Sequence, residues 1–209
     1  MSRQAIQARA NSINVPYLLH FTRVVNLPSI MQHGLYPVSR VATIGVTPQI
    51  NDELRLDGHL DGTSLSIAFP NHRMFWKYRH ANEEVEWVVL AVDPSVLWLK
   101  DCAFCRHNAA DARISCQPIN QLKTPAAFTG MFEEIEGLKT RQEQRLKPSD
   151  PTDEQAEVLV FDVIEPSLIF GAAFENAATR DAYQGSLGNR KILVQRERQG
   201  YFAARSYVR

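Results

Sequence analysis

The stretch DEQAEVLVFDV, residues 153–163, contains the pattern from which the fold class follows. From Val158 to Phe161 it has only bulky or β-branched residues, with no Gly or Pro. Such a pattern predicts a strand that is buried on one or both faces. Glu157 stands at the leading end of that strand, where ionising a carboxylate is costly unless something pairs with it or solvent reaches it. We therefore expect a partner group or a solvent-filled cleft beside Glu157.

Further strands are predicted on both sides of this one along the chain. They are expected over residues 15–22, 64–70, 86–94, 167–174 and 191–197, with a weaker one at 114–119. Short helices separate them, no segment is repeated, and the pattern does not follow regular βαβ units. Six or seven strands in this arrangement predict an α+β domain.

The segments between the strands predict helices and one long loop. Residues 26–35, NLPSIMQHGL, predict a helix with Asn26 as its N-cap and Gly34 as its C-terminal stop. Residues 102–114 predict a turn that leads into a short helix. Residues 36–62 predict a loop with one turn of helix, and loops of this length in compact domains are usually functional.

Length and composition are those of a single globular domain over residues 1–209. Of the 209 residues, 44% are hydrophobic and 22% are charged. The 23 basic and 23 acidic residues give no net charge, so binding to nucleic acid or membrane has to use a local patch. No apolar run approaches the roughly 20 residues of a membrane span. Residues 1–12, a flexible arm or a short helix, lack the apolar centre of a secretory signal.

The cysteines favour a reducing compartment. There are three of them, an odd number, which argues against a disulfide framework and predicts a cytoplasmic protein. Cys102 and Cys105 have the C-x-x-C spacing of a zinc site, with His107 and Cys116 nearby. The second ligand pair of a strong zinc signature is missing, so we predict semi-buried thiols and no metal.

Three groups of polar residues could carry chemistry. His20 and Thr22 stand at the exit of the first strand, Arg55 and His59 in the long loop, and Glu157 at the strand end. Each group alone also fits an ordinary capping or solvated side chain. Together they are the groups that hold an anionic dinucleotide and cleave its glycosidic bond. The Arg would neutralise a pyrophosphate, and the Glu would hydrogen-bond a ribose hydroxyl in an oxocarbenium-like transition state or act as a general base. The chain has no phosphate-loop motif and no G-x-G-x-x-G.

Four blocks of sequence, taken in order and at their separations, are more specific than these groups. They are HFTRVVNLPSIMQHGL (20–35), SIAFPNHRMFWKY (66–78), FCRHNA (104–109) and QAEVLV (155–160). In this order they resemble the DarT family, bacterial toxins that use NAD+ to ADP-ribosylate bases of single-stranded DNA. The resemblance covers most of residues 15–170. It implies the ADP-ribosyltransferase fold, a split β-sandwich of six or seven strands with peripheral helices, and NAD+ as co-substrate.

The resemblance also implies a pocket for NAD+ built from the first block. His20 and Thr22 would contact the adenosine or nicotinamide side of NAD+. Asn26, Leu27 and Gly34 would shape the same pocket.

The resemblance further implies the catalytic groups and the DNA contacts. Glu157 matches the catalytic Glu of the family, and Arg55 would meet the phosphates and assist catalysis, with His59 as the alternative. Residues 120–156 would form the substrate-recognition loop. The DNA groove would be lined by Asn71, Arg73, Met74, Lys77 and Tyr78.

The acceptor is the part of the function that has alternatives. Residues 70–78 depart from the commonest family form. This departure favours guanosine over thymidine as the target base. RNA or protein is an alternative acceptor, although Gln155 stands where arginine-directed relatives carry a second acidic residue. A binding module without catalysis, in which Glu157 is structural, is the third hypothesis. For the toxin, the resemblance implies a cognate antitoxin, a macrodomain or similar protein that binds it or removes the ADP-ribose. We also expect a monomer that binds no membrane.

Overall fold

The structure, a computed structural model, describes residues 2–50 and 58–209. These residues contain a seven-stranded sheet with short helices around it, which confirms the α+β class. The strands are β1 (Leu18–Arg23), β2 (Thr63–Ile67), β3 (Trp87–Val92), β4 (Cys102–Cys105), β5 (Glu157–Val160), β6 (Ile169–Phe174) and β7 (Lys191–Val194).

The helices are short and lie before, between and after the strands. They are α1 (Ser2–Ser12), α2 (Leu27–His33), α3 (Val38–Val41), α4 (His72–Ala81), α5 (Val96–Leu99), α6 (Ala112–Ser115), α7 (Ile119–Leu122), α8 (Pro125–Gly130), α9 (Ala177–Tyr183) and α10 (Arg205–Val208). Of the helices described, none is long and apolar enough to cross a membrane.

The sheet is divided by a short ladder between β1 and β2. The strand order is β4-β5-β2-β1-β3-β6-β7, antiparallel throughout except for the parallel pair β6 and β7. β1 pairs with β3 along its whole length, whereas its described pairs with β2 are Leu18–Ile67 and Leu19–Ser66. The two halves of the sheet are therefore joined at one end of β1 and separate beyond Leu19. This division corresponds to the split sheet that we expected.

The strand predicted from the opening stretch is β5, and its surroundings explain its composition. It pairs with β2 on one side and β4 on the other, and all of its residues from Glu157 to Val160 are buried. A strand in the middle of a sheet with both faces covered reads as a continuous apolar run.

Two predictions next to this strand were wrong. Cys102–Cys105 is not a turn but the edge strand β4, because its short apolar run pairs along β5 and buries all four residues. No strand forms at residues 114–119, which lie within the described part of the chain. The Asp111 carboxylate accepts a hydrogen bond from the backbone N–H of Arg113 and caps helix α6 there instead.

The N-terminal segment is a helix, the second of the two alternatives for residues 1–12. Helix α1 packs against α5 and α8. Its Ile6 and Ala10 are 5% and 2% exposed and belong to the main core. The apolar residues of α1 therefore anchor it to the domain.

Helix α2 forms where it was predicted, but Asn26 does not cap it with its side chain. Asn26 has helical backbone angles (φ −79°, ψ −17°), because a 3-10 turn precedes the helix. Its amide instead donates hydrogen bonds to Thr22 Oγ1 and to the Gln49 carbonyl, both at 3.0 Å. The side chain thus links β1 to the loop that follows α3.

Gly34 ends α2 in a conformation that requires glycine. Its φ is +99°, and a Cβ atom there would lie 2.4 Å from the carbonyl oxygen of Ile164. The next residue, Leu35, forms an isolated bridge with Ile164. Any side chain at position 34 would force these two segments apart.

We expect Gly34→Ala to lower the free energy of unfolding by roughly 2–3 kcal/mol, because it combines a strained φ with a backbone clash. Gly45→Ala is the matched control. Gly45 also has a positive φ (+68°), but a Cβ there meets nothing within 4 Å. The control should lose about 1 kcal/mol. Urea denaturation of both variants measures the difference, and equal losses would contradict the clash.

Candidate active site

A cleft of about 690 Å³ opens where β1 and β2 stop pairing. One wall comes from β1 and the start of α2, another from β2 and β5, and a third from α4. The polar residues of the first two walls include His20, Thr22, Asn26, Thr63, Ser64, Ser66 and Glu157. The split in the sheet therefore exposes polar side chains from strands that are otherwise buried.

The Glu157 carboxylate lies on the wall of this cleft and is held by two N–H donors. Its Oε2 accepts a hydrogen bond from the backbone N–H of Ala109 at 2.9 Å, and its Oε1 from the amide of Asn71 at 3.4 Å. The residue is 4% exposed. The carboxylate at the start of the apolar strand is thus accommodated both by hydrogen bonds and by the cleft.

Asn71 supports Glu157 from behind. It is fully buried, its backbone N–H donates to Ser66 Oγ at 3.0 Å, and its Oδ1 accepts from the backbone N–H of Met74 at 3.2 Å, which caps α4. These bonds leave its Nδ2 directed at Glu157. We expected Asn71 in the DNA groove, but it lies beneath the surface of the cleft.

His20 and Thr22 both line the cleft, and their polar atoms have defined partners. The Nδ1 of His20 lies 2.9 Å from the carbonyl oxygen of Ser64. Because a carbonyl can only accept, Nδ1 carries the proton of this hydrogen bond. Thr22 Oγ1 accepts from the amide of Asn26 at 3.0 Å. The ring and the hydroxyl are therefore oriented before any ligand binds.

The remaining residues of the expected NAD+ pocket divide between the wall and the core. Asn26 and Gly34 line the cleft. Leu27 is 0% exposed, belongs to the main core and is not among the lining residues. It packs beneath the cleft, because it is the first residue of α2 and faces inward.

The long loop contributes an apolar wall and leaves one buried hydroxyl beside it. Val38, Val41 and Ile44 line the cleft from this loop. Thr63, which lines it from β2, is 6% exposed, and its Oγ1 has no hydrogen-bond partner among the described residues. A buried hydroxyl without a partner is costly. A ligand group in the cleft could therefore form a hydrogen bond that the protein alone does not provide.

The long loop contains two candidate catalytic residues, Arg55 and His59. Arg55 lies outside the described residues. His59 lies beside Asp61, with 3.5 Å between Nδ1 and Oδ1, and its ring meets Phe161 edge-on at 5.8 Å. His59 is not among the residues that line the cleft.

Helix α4 brings four of the expected DNA-contacting residues to the mouth of the cleft. Arg73, Met74, Lys77 and Tyr78 all line it. Arg73 donates from Nε to Glu154 at 2.6 Å, which ties the helix to the segment before Glu157. The helical spacing places these residues on one face, because side chains three and four positions apart are neighbours.

The segment expected to recognise substrate, residues 120–156, is fixed by arginines. Arg141 donates to the Asp150 carbonyl at 2.8 Å and to Thr152 Oγ1 at 2.9 Å. Arg205 of α10 is 3% exposed and donates to the Pro151 carbonyl at 2.6 Å. Arg209 forms a bidentate pair with Asp150 at 2.6 and 2.7 Å. The charged and Pro-containing sequence is thus ordered through its guanidinium contacts.

A buried contact between a histidine and a carboxylate joins this segment to the residues that follow β4. His107 Nδ1 lies 2.6 Å from Asp153 Oδ2, and the two residues are 5% and 8% exposed. His107 follows β4 and Asp153 precedes β5. The pair therefore fixes the two chain segments that approach Glu157, since Ala109 follows His107 by two residues.

The cysteines do not form a metal site. Cys102 and Cys105 are buried within β4, and burial raises the pKa of the Cys102 thiol to about 12. Cys116 is exposed. Across residues 2–50 and 58–209, no group of three His, Cys, Asp or Glu side chains could hold a metal ion. The buried thiols contribute packing to the core.

Several functional candidates were missed by sequence reasoning. Thr63, Ser66 and Asp150 are ordinary polar residues with no motif around them. Arg205 lies more than fifty positions from the carbonyls that it binds. No local pattern could reveal these contacts, because each depends on segments that only the fold brings together.

The ion pair of Asp150 and Arg209 yields a test of this arrangement. Burial alone would raise the pKa of Asp150, but the hydrogen bonds from Arg209 and from the Lys147 N–H outweigh it and lower that pKa. A carboxylate with a lowered pKa stabilises the folded state above its ordinary pKa, and this stabilisation is lost as the pH falls. The effect should therefore be present at pH 7 and fade below about pH 4.

We expect Asp150→Asn to lower the free energy of unfolding at pH 7 by roughly 3–5 kcal/mol, because it leaves a partly buried guanidinium without its charge partner. Asp181→Asn, which removes an exposed pair with Arg180, should cost less than about 1 kcal/mol. Denaturant unfolding at pH 7 and at pH 3.5 measures both variants. A loss from Asp150→Asn that is as large at pH 3.5 as at pH 7 would contradict the proposed origin.

Comparisons with known proteins identify the family of the chain and its fold. The family model described as "ssDNA thymidine ADP-ribosyltransferase, DarT" matches residues 19–202. No curated protein matches the chain in sequence.

Solved structures with the same fold include two of one DarT protein and one of a DarTG protein. A DarT of Thermus sp. 2.9 in complex with ADP-ribosylated ssDNA is 13% identical, with a TM-score of 0.59 over 90% of this chain and 97% of that one. The same protein in complex with NAD+ is 13% identical, with a TM-score of 0.53 over 89% and 98%. DarTG of Thermosipho africanus in complex with ADP-ribose is 13% identical, with a TM-score of 0.59 over 86% of this chain. The present chain spans 50% of that one.

At these identities the solved structures show a shared fold, and the family follows from the sequence model, which matches nearly the whole chain. The resemblance of the four sequence blocks is therefore confirmed. The chain belongs to the DarT family of NAD-dependent single-stranded DNA ADP-ribosyltransferases.

Proposed function

We propose that this chain transfers ADP-ribose from NAD+ to a base of single-stranded DNA and that Glu157 is its catalytic carboxylate. The observation that carries the proposal is the position of Glu157. It is buried on the wall of a large cleft and oriented by Ala109 N–H and the Asn71 amide. The ligands named for the related Thermus structures, NAD+ and ADP-ribosylated ssDNA, support the same reaction.

Glu157 has the features that cleavage of a glycosidic bond requires. Oε1 and Oε2 each accept an N–H, and an ionised carboxylate has about four lone-pair sites that can accept hydrogen bonds. The carboxylate can therefore accept a ribose hydroxyl of NAD+ and stabilise the positive charge that develops as nicotinamide leaves. Because its donors come from the backbone and from a buried side chain, little reorganisation is needed when the reaction begins. The same carboxylate can act as a general base toward the target base.

NAD+ would bind between the polar and the apolar walls of the cleft. His20 and Thr22 face it from β1, and Asn26 fixes the loop through reciprocal bonds with Gln49. The apolar wall from the loop would receive a ring of the cofactor, and the Thr63 hydroxyl would find a partner on it. The apolar wall would thus recognise a ring of NAD+, and the polar side chains would recognise its ribose groups.

The phosphates of NAD+ are assigned to Arg55 in this proposal. The loop lines the cleft as far as Ile50, and Arg55 follows five positions later. His59 faces Phe161 and Asp61 instead. A guanidinium is also better suited than an imidazole to bind a pyrophosphate, because it is always charged and has paired donors.

Single-stranded DNA would approach over α4 and the segment 120–156. Arg73, Met74, Lys77 and Tyr78 present cations and apolar surface at the mouth of the cleft. The Arg73–Glu154 pair holds this helix against the recognition segment. The arrangement suits a strand whose phosphates remain outside while one base enters.

We propose guanosine as the target base, with thymidine as the alternative. The form of residues 70–78 favours guanosine, whereas the description of the matching family model names thymidine. Oligonucleotides that carry a single guanine or a single thymine separate the two. Transfer to the thymine oligonucleotide alone would overturn the guanosine assignment.

The cellular role that we propose is that of a monomeric, cytoplasmic toxin with a separate antitoxin. Modified bases block the use of a DNA template, so an unrestrained enzyme of this kind would harm its own cell. An antitoxin that binds the chain or removes the ADP-ribose would prevent this. The proposal predicts poor growth on expression of the native chain and normal growth on expression of a Glu157 variant.

We expect Glu157→Gln to abolish transfer while leaving the fold intact, because it replaces the carboxylate by a group of the same shape. The assay incubates purified protein with NAD+ and oligonucleotides enriched in each base, and mass spectrometry detects the gain of one ADP-ribose. Asp181→Asn, a carboxylate-to-amide change at an exposed residue of α9 that does not line the cleft, is the matched control and should keep full activity. Near-full activity of Glu157→Gln would overturn the catalytic assignment.

Other outcomes of the same assay identify the alternatives. Labelling of RNA or protein but of no DNA would move the acceptor to another class. Binding of NAD+ and DNA without any transfer would indicate a binding module in which Glu157 is structural.

We expect Arg55→Ala to raise KM for NAD+ by at least tenfold, because it would remove the cation that the proposal assigns to the phosphates. His59→Ala, in the same loop, should change KM by less than about twofold and is the matched control. Steady-state kinetics with saturating DNA measures both. A larger effect at His59 than at Arg55 would reverse the assignment of the phosphate contact.

A further inference from the structure

Helix α4 carries two exposed aromatic rings beside the mouth of the cleft. Trp76 is 58% exposed, and its ring stacks on that of His80 with 4.3 Å between centroids and 25° between planes. The His80 ring is held in place, because its Nδ1 lies 2.9 Å from the Trp76 carbonyl oxygen. The other two tryptophans, Trp87 and Trp98, are buried or half-buried. Of the three tryptophans, all within the described residues, only Trp76 is exposed.

The helical spacing places this pair next to the cleft-lining cations. Arg73 and Lys77 line the cleft, and Phe75 lies on the opposite side in the core. Trp76 is three positions from Arg73, and His80 is three from Lys77, so each ring is a direct neighbour of a cation on the helix surface. The rings and the cations form one continuous rim that begins inside the cleft.

The charges around this rim favour a polyanion as its occupant. Lys77 has no salt-bridge partner among the described residues. Arg73 is paired with Glu154, and its side chain is 66% exposed. The Glu197 carboxylate lies 3.8 Å from His80 Nε2 at the far end of the ring pair from Arg73. An apolar protein partner would need a broader apolar patch, whereas a strand of nucleic acid needs a flat ring for a base and a cation for a phosphate.

We propose that Trp76 and His80 form a stacking site for the base next to the target base in single-stranded DNA, with Lys77 contacting the phosphate between the two nucleotides. This inference rests on the proposed function, because the cleft has to receive the target base. Stacking of a base on an aromatic side chain contributes about 1–3 kcal/mol and is tolerant of sequence. The site would therefore give affinity for single strands rather than preference for a sequence.

The site also accounts for the requirement for a single strand. A base that stacks on Trp76 has to be unpaired and turned away from its own neighbours. Duplex DNA cannot present adjacent bases in this way, because both are stacked within the helix. The ring pair and the cleft would thus hold two neighbouring bases apart.

The first test compares binding by variants of the rim, measured by fluorescence anisotropy with a labelled oligonucleotide. Trp76→Ala should weaken binding about tenfold, whereas Trp76→Phe should keep most of it. Phe170→Ala, an exposed aromatic residue of β6 that does not line the cleft, is the matched control and should bind like the native chain. Lys77→Gln should weaken binding and reduce the slope of log affinity against log salt by about 0.7, the value for one phosphate contact on a single strand.

The second test removes the stacking base instead of the ring. Oligonucleotides with one target base carry an abasic position on its 5′ or 3′ side. For the native chain, one of the two should raise KM for DNA about tenfold while KM for NAD+ stays unchanged. Trp76→Ala should show the raised KM on the intact oligonucleotide and no further rise on the abasic one, because ring and base act as a pair.

The outcomes separate this inference from the proposed function. No transfer by the native chain to any DNA would end the proposed function, and with it the site. The native chain could transfer ADP-ribose to DNA while Trp76→Ala shows the same binding and kinetics as the native chain. This result would overturn the stacking site but not the proposed function. Equal penalties from the abasic position in the native chain and in Trp76→Ala would overturn it as well.

Discussion

The short ladder between β1 and β2 is the constraint on which the rest of the site depends. Backbone N–H and C=O groups beyond Leu19 and Ser66 cannot be satisfied by continued pairing of these two strands. The His20 ring provides part of the replacement by binding the Ser64 carbonyl at 2.9 Å. This bond both supports the opening in the sheet and fixes the ring nitrogen that carries the proton. His20, which the sequence analysis predicted as an NAD+ contact, is thus a structural element of the cleft.

The other side of the cleft depends on how a buried carboxylate is supported. Glu157 receives donors from the segment after β4 and from the segment between β2 and α4. Both of these segments are fixed in turn, the first by the His107–Asp153 pair and the second by the capping bonds of Asn71. The orientation of Glu157 is therefore set by contacts from distant parts of the chain. Such preorganisation is what electrostatic stabilisation of a transition state requires, because the donors do not have to move during the reaction.

Sequence reasoning succeeded where a signal was local and failed where it depended on the fold. We predicted the strand at Val158 and the helix that ends at Gly34 correctly, because each depends on consecutive residues. The four family blocks were recognised in the same way, each from a short run of consecutive residues. The strand at Cys102–Cys105 was missed, since four apolar residues beside a C-x-x-C spacing fit a turn equally well until β5 pairs with them. The capping role of Asn26 was wrong because its Oδ1, the atom that would cap the helix, accepts the backbone N–H of Gln49 instead. The anchoring of the recognition segment by Arg205 had no signal at all, because it joins residues that are far apart in the chain.

Four arginines of this chain, which has no net charge, hold the scaffold together and do not line the cleft. The guanidinium groups of Arg79, Arg141, Arg205 and Arg209 are directed at carbonyls and carboxylates of the protein. They hold the scaffold together, and two of them lie beyond residue 202, where the family match ends. Among the described residues that line the cleft, the cationic ones are Arg23, Arg73 and Lys77. Each phosphate contact on a single strand contributes a salt slope of only about 0.7, so three cations give a modest electrostatic attraction. In the proposed complex, affinity for DNA would therefore come largely from base contacts at the rim, which would restrict tight binding to strands whose bases are already unpaired.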